Sequence, residues 1–226
     1  MEHRVADYLE PIHAPGEHTV LRCSAAESLA SKIGAVVRDL GLRGPLERWH
    51  AQEPRGAAGM WSSALQRAIG HHIGVLHAVL RALPWCRPLP PGATVQHPPR
   101  LRFRPPGSRG AEFHTDAWAN NPADQLIAWV PLVDAFGEES LWLVPPDQTQ
   151  VLDDEPFDEA QRRLRAVARP LPLSVGDVLL MDASTGHGAP RHDADRTRVS
   201  VDIRLSLSAP GPRAWRAADA NVIWRP

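Results

Sequence analysis

The chain is poor in lysine. Lys32 stands alone against 24 arginines in 226 residues. With the abundance of Ala and Pro, that skew reads as the codon usage of a GC-rich genome rather than as a site. Cysteine is nearly as scarce. Cys23 and Cys86 are too few for a disulfide framework and read as free thiols of a reducing cytoplasm. Long apolar runs are missing as well, since no stretch approaches the roughly 18 residues that a membrane helix needs. MEHRVADYLEPIH has no basic region leading into an apolar one, so no signal peptide is expected. Charge of one sign is not in excess either. A net charge of −1 argues against bulk attraction to nucleic acid or to an anionic membrane. The expectation is a cytoplasmic protein acting on a small molecule, with neither nucleic acid nor membrane as a partner.

What is present is enough for a sizeable core: 43% of the residues are apolar. The length suits one domain over 1–226, with a mainly helical part over 1–90, a strand-rich core over 91–210 and a tail over 211–226. Ser24 opens a helix: Ser24 and Glu27 form a capping-box pattern, and Ala26, Leu29, Ile33, Val36, Val37 and Leu40 repeat at helical spacing up to Gly41. A second helix is expected from Gly59 to Leu83, with Leu65, Ile69, Leu76 and Leu80 on one face. Beyond Pro84 the text changes to short apolar runs punctuated by Pro and Gly. Strands are expected over 94–95, 100–104, 125–132, 141–144, 171–173, 178–181 and 198–207, with one amphipathic helix within 153–168. Helices followed by many short strands predict a mainly β architecture, a double-stranded β-helix (jelly roll, cupin-like) with the N-terminal helices packed outside.

Within that core, EFHTDAW places His114 and Asp116 two apart, and on a strand such residues share a face. His187, in the Gly-flanked GHG, completes two imidazoles and one carboxylate. That set occupies one face of an octahedral ion and leaves positions open, as in non-haem Fe(II) oxygenases. Arg198 follows eleven residues after His187 and opens RVSVDIRLSL, where its planar fork suits a dicarboxylate such as 2-oxoglutarate. Alternation puts Arg198, Ser200, Asp202 and Arg204 on one face of that strand. Four inward polar groups fit a polar cavity better than a dry core, although a structural ion pair of Asp202 with Arg204 also satisfies the pattern. Arg198 and Ser200 are assigned to the cosubstrate, Asp202 and Arg204 to the substrate. His192 is the competing imidazole for His187.

The pattern HxD, then His, then Arg resembles the phytanoyl-CoA dioxygenase family of Fe(II)/2-oxoglutarate oxygenases, over roughly Val95 to Leu207. LRFRPPG resembles the family's strand and turn before the motif, and QLIAWVPLVD its central strand. ESLWLVPPD departs from the usual ending of the next strand. The resemblance implies Fe(II), 2-oxoglutarate and O₂, with Trp129 touching the cosubstrate. It is most similar to small members of aminoglycoside and oligosaccharide antibiotic (orthosomycin-type) pathways. A sugar-containing substrate is therefore expected, oxidised by hydroxylation or by ring closure such as orthoester formation. Trp118, Trp129 and Trp142 are candidates for sugar faces, and Asn120, Asn121, Asp202 and Arg204 for hydroxyls. Three other readings stay open: a non-enzymatic sugar-binding jelly roll; a nucleic-acid demethylase, because Arg198 and Arg204 lie six apart; and a cupin-like enzyme that needs a metal but no cosubstrate, which would leave Arg198 without a role.

Overall fold

The computed structural model describes residues 16–39, 41, 43–52, 60–71, 73–85, 88–118, 121–149, 155–207 and 220–223. Two antiparallel sheets face each other. The larger takes the order β1 (His18–Arg22), β8 (Asp177–Asp182), β5 (Gln125–Pro131), β10 (Arg198–Ser206), β2 (Thr94–His97), β11 (Ala220–Ile223), with β3 (Arg100–Arg104) also paired to β10. The smaller runs β4 (Ala111–His114), β9 (His187–Ala189), β6 (Leu141–Leu143), β7 (Arg169–Leu171). Helices α1 (Ser24–Asp39), α2 (Met60–His71) and α3 (Ile73–Arg81) cover the larger sheet, and α4 (Phe157–Val167) covers the smaller one.

Strand parity sorts the side chains into layers. On β5, Leu126, Ala128 and Val130 join Val178 and Leu180 of β8 and Val199, Val201, Ile203 and Leu205 of β10 in a core against α1–α3. The alternate residues, Ile127 and Trp129 with Leu179 and Met181, meet Leu141 and Leu143 of β6 between the sheets. Behind the smaller sheet, Phe113 and Val144 pack on Ala160 and Leu164 of α4. All nine residues of β10 are buried, yet Arg198, Ser200, Asp202 and Arg204 lie opposite the apolar set, so their face looks into the space between the sheets.

Several expectations shift. The span 59–83 holds two helices rather than one, with residue 72 outside the described residues. The Glu27 carboxylate takes Arg22 at 2.5 Å instead of closing a box on Ser24. The expected tail contains β11, which extends the larger sheet beside β2. His187, outside every expected strand, begins strand β9. A short 3-10 segment, Leu46–Ala51, sets Trp49 against Phe103 of β3, ring centroids 4.6 Å apart. Cys23 is a buried free thiol, whereas Leu40, Cys86 and Asn120 lie outside the described residues. Among the described residues no helix is long and apolar enough to cross a membrane.

Candidate metal centre

Strands β4 and β9 pair so that His114 stands directly across from His187. Their ring centroids are 4.5 Å apart. Phe113, one residue earlier, points the other way into the apolar layer under α4, and this fixes His114 toward the cavity. The close approach needs Gly188: a Cβ there would lie 2.6 Å from Phe113 Cδ1 and 3.0 Å from Phe113 Cα. Asp116 arrives differently from the sequence-based expectation. The strand ends at His114, and Asp116 opens a turn over 116–118. Its carbonyl accepts from the Asn121 N–H and from Asn121 Nδ2, both at 3.0 Å, and Thr115 Oγ1 accepts from the Trp118 N–H at 2.9 Å. Turn hydrogen bonds, not strand alternation, bring the carboxylate beside the rings. One ligand atom from each of His114, Asp116 and His187 lies within 4.8 Å of the others.

The tautomers follow from the neighbours. His187 Nδ1 lies 2.9 Å from the Thr185 carbonyl, and His114 Nδ1 lies 2.8 Å from the Glu112 carbonyl. A carbonyl only accepts, so each Nδ1 carries the proton and each Nε2 presents its lone pair, the arrangement a metal requires. Burial, and then repulsion from His114, pull the His187 pKa down to about 4, keeping this ring neutral. Arg204 Nη2 donates to Asp116 Oδ1 at 3.2 Å and stands 3.0 Å from Oδ2 without a directed hydrogen bond to it. Oδ2 therefore retains lone-pair capacity. His192 is not part of the cluster; its Nε2 lies 2.5 Å from the Arg196 carbonyl.

These groups border a cavity of about 510 Å³ whose apolar wall includes Ile127, Trp129, Leu141 and Met181. Arg198 projects into it, 6% exposed, with Cζ 5.7 Å from the Trp129 ring centroid. Its Nε and Nη1 have no partner. Burial, and then repulsion from Arg104, lower its pKa to about 9. Ser200 Oγ, one pleat along, is likewise buried and unpartnered. A lone guanidinium held this way is costly until an anion meets it, and it fits the distal carboxylate of a dicarboxylic acid.

The residues expected to contact substrate fare unevenly. Arg204 is engaged with Asp116, and Asp202 accepts from Arg102 Nε at 3.0 Å with Nη2 in ion-pair contact at 2.9 Å, so neither guanidinium nor carboxylate stands free. Burial pushes the Asp202 carboxyl up, but Arg102, Arg204 and Arg198 outweigh it and hold it below the usual carboxylate range. Trp118 stands outside the cavity, 45% exposed, its ring nearly parallel to Phe157 at 6.4 Å. Trp142 donates from Nε1 to the Gly137 carbonyl and packs on the cluster under α4. Arg102 and Arg104 lie on the cavity wall although neither was expected to. The alternation in RLRFR, arginines at 100, 102 and 104 between Leu101 and Phe103, was the available signal.

At the level of sequence no family model matches the chain and no curated protein does. Solved structures with the same fold exist. EctD from S. alaskensis with bound Fe superposes with a TM-score of 0.52 at 18% identity, covering 91% of this chain and 83% of that one. EctD with 2-oxoglutarate and 5-hydroxyectoine gives 0.52 at 17%, covering 91% and 82%. The non-heme monooxygenase ThoJ in its apo form gives 0.52 at 18%, covering 94% and 82%. The chain thus has the fold of these non-haem iron proteins and carries a His-Asp-His cluster at its cavity.

Proposed function

We propose that this protein is an Fe(II)/2-oxoglutarate-dependent oxygenase, built on a double-stranded β-helix, that oxidises a C–H bond of a sugar-containing small molecule by hydroxylation or oxidative ring closure. The observation that carries the reading is the pairing, in one cavity, of three convergent ligand groups with a buried, unpartnered Arg198. Two imidazole nitrogens and one carboxylate are the donor set of a non-haem iron site with open positions, and both Nε2 atoms are free for it. When bound, iron and 2-oxoglutarate together supply the oxidation of the C–H bond by O₂, with succinate and CO₂ as products.

The chain's own residues do the rest. His114, Asp116 and His187 would hold the ion. Arg204 and Asn121 orient the Asp116 carboxylate, and the Thr185 and Glu112 carbonyls keep the imidazole protons on Nδ1. Arg198 would take the distal carboxylate of the cosubstrate through a forked, charge-assisted pair, with Ser200 Oγ as a further donor. Ile127, Leu141, Met181 and Trp129 exclude water from that end. A nucleic-acid substrate finds no support, because Arg204, the second arginine of the six-residue spacing, is spent on Asp116.

For the sugar, support comes from two flat rings outside the cavity. Trp118 and Phe157 are 45% and 44% exposed, and Phe157 borders a groove sharing Arg109, Gly110 and Ala111 with the main cavity. Aromatic faces of this kind suit the apolar faces of pyranose rings. The test begins with anaerobic addition of Fe(II) and 2-oxoglutarate, which should give a metal-to-ligand charge-transfer band. Succinate release is then scored with sugars, acyl-CoA esters and alkylated oligonucleotides. Stimulation by sugars is expected. Stimulation only by acyl-CoA esters or oligonucleotides overturns the substrate class, and no band overturns the oxygenase.

A further inference from the structure

The cavity walls carry more positive charge than the metal and cosubstrate consume. Arg102, Arg104, Arg198 and Arg204 border it, against only Asp116 and Asp202. Arg204 matches Asp116 at 3.0 Å and Arg102 matches Asp202 at 2.9 Å. A divalent ion and a 2-oxoglutarate dianion neutralise each other. A net surplus of two positive charges therefore survives full loading with metal and cosubstrate, and with Arg198 taken by the cosubstrate carboxylate the guanidinium left unmatched is Arg104. Arg109 at the mouth does not alter this, since its side chain is 93% exposed and faces Glu112 at 4.0 Å.

Arg104 is where the surplus has a place to act. It ends β3 directly across from Arg198, is 7% exposed, and shares its inward face with Arg102. Its Nη2 donates to the Pro190 carbonyl at 2.5 Å, while Nη1 is buried without a partner. Among the described residues no carboxylate forms an ion pair with it. Burial pulls its pKa down. Like charges directly opposite one another on paired strands are destabilising, and more so when desolvated. The overall chain is not basic, so this concentration is local to the cavity.

We infer that the substrate is an anion and that Arg104 receives its carboxylate or phosphate. The inference rests on the oxygenase reading above and narrows its substrate from sugars at large to acidic ones, uronic acids or sugar phosphates. Polycationic amino sugars would meet the surplus as like charges and are excluded from the cavity.

The test uses the whole protein loaded anaerobically with Fe(II) and 2-oxoglutarate, titrated with glucose, glucuronate, glucose 6-phosphate and glucosamine. Binding is read from the shift of the charge-transfer band and by calorimetry. At least one anion should bind ten-fold or more tighter than glucose, with glucosamine weaker than glucose. The stronger arm tells carboxylate from phosphate. Arg104→Gln should bring that anion to within about three-fold of glucose while keeping the charge-transfer band. No binding by either anion, equal binding of anion and glucose, tighter binding of glucosamine, or an anion preference that survives Arg104→Gln overturns the inference. Loss of the band in Arg104→Gln also overturns it, by assigning Arg104 to the cosubstrate. Absence of the band in the unmodified protein would instead sink the oxygenase reading, and calorimetry of the same four sugars on metal-free protein then decides the charge preference alone.

Discussion

Replacing Arg198 by methionine should move stability and cosubstrate binding in opposite directions. The guanidinium is 6% exposed, and its Nε and Nη1 are unpartnered. An unsatisfied buried polar group costs about 1–3 kcal/mol, and more when charged. Methionine has similar reach, and its thioether packs well against an aromatic ring such as that of Trp129. The metal-free Arg198→Met protein should therefore be more stable by about 1–3 kcal/mol, at roughly 2–4 °C in Tm per kcal/mol for a chain of this size. The same change removes a forked pair of charge-assisted bonds to 2-oxoglutarate, worth about 1.5–3 kcal/mol each. At about 1.4 kcal/mol per ten-fold, binding should weaken by roughly 10²–10⁴-fold. Thermal unfolding without metal and anaerobic titration of the charge-transfer band measure the two sides. Destabilisation of the variant, or a loss of binding smaller than ten-fold, would refute the reasoning, since a residue placed for packing would show that pattern.

Arg204→Met should weaken metal affinity by roughly 10–100-fold, the usual penalty for losing a group that orients a ligand, with a smaller effect on 2-oxoglutarate at saturating metal. Competition against a colorimetric chelator reads it, and unchanged affinity would leave the Arg204–Asp116 contact without a role. Gly188→Ala should cost about 1–3 kcal/mol of stability by overpacking against Phe113 and should abolish tight metal binding by prying β4 from β9. Normal metal affinity with normal stability would contradict it. In the metal-free protein His187 is neutral with a pKa of about 4, whereas unfolded it protonates near the ordinary histidine value of 6.5. The unfolded state then binds the extra proton, so stability should fall by up to about 3 kcal/mol as pH drops from 6.5 to 4. Urea unfolding across that window should show the slope, and His187→Gln should flatten it.

Much of this was readable beforehand because period two is a strong signal in a buried strand. RVSVDIRLS alternates without a fault, so both its strand and its polar inner face followed from the letters. His114 and His187 were readable as ligand candidates, but their meeting depends on a cross-strand register that no local pattern encodes. Asp116 shows the limit of parity: a turn held by Asn121 does what strand alternation was expected to do. The duties of Arg204 and Asp202 were legible only in part: the two stand 4.0 Å apart, as the ion-pair alternative had it, but their nearer partners were not foreseen. Parity gives the face but not the partner, and each found an opposite charge on a neighbouring element. Trp118, two residues past Asp116, turns outward with the same turn.

The register of β4 against β9 has a consequence for assembly. The pairing is irregular between Ala111 and His114, and β4 is a four-residue strand at the rim of its sheet. Sliding such a strand by one residue would swing His114 to the far face and Phe113 into the cavity. An ion bridging His114 and His187 would therefore act as a rivet that selects this alignment over its one-residue neighbours. Amide exchange along β4 and β9 should slow together when metal is added, while β1, across the molecule, keeps its pace.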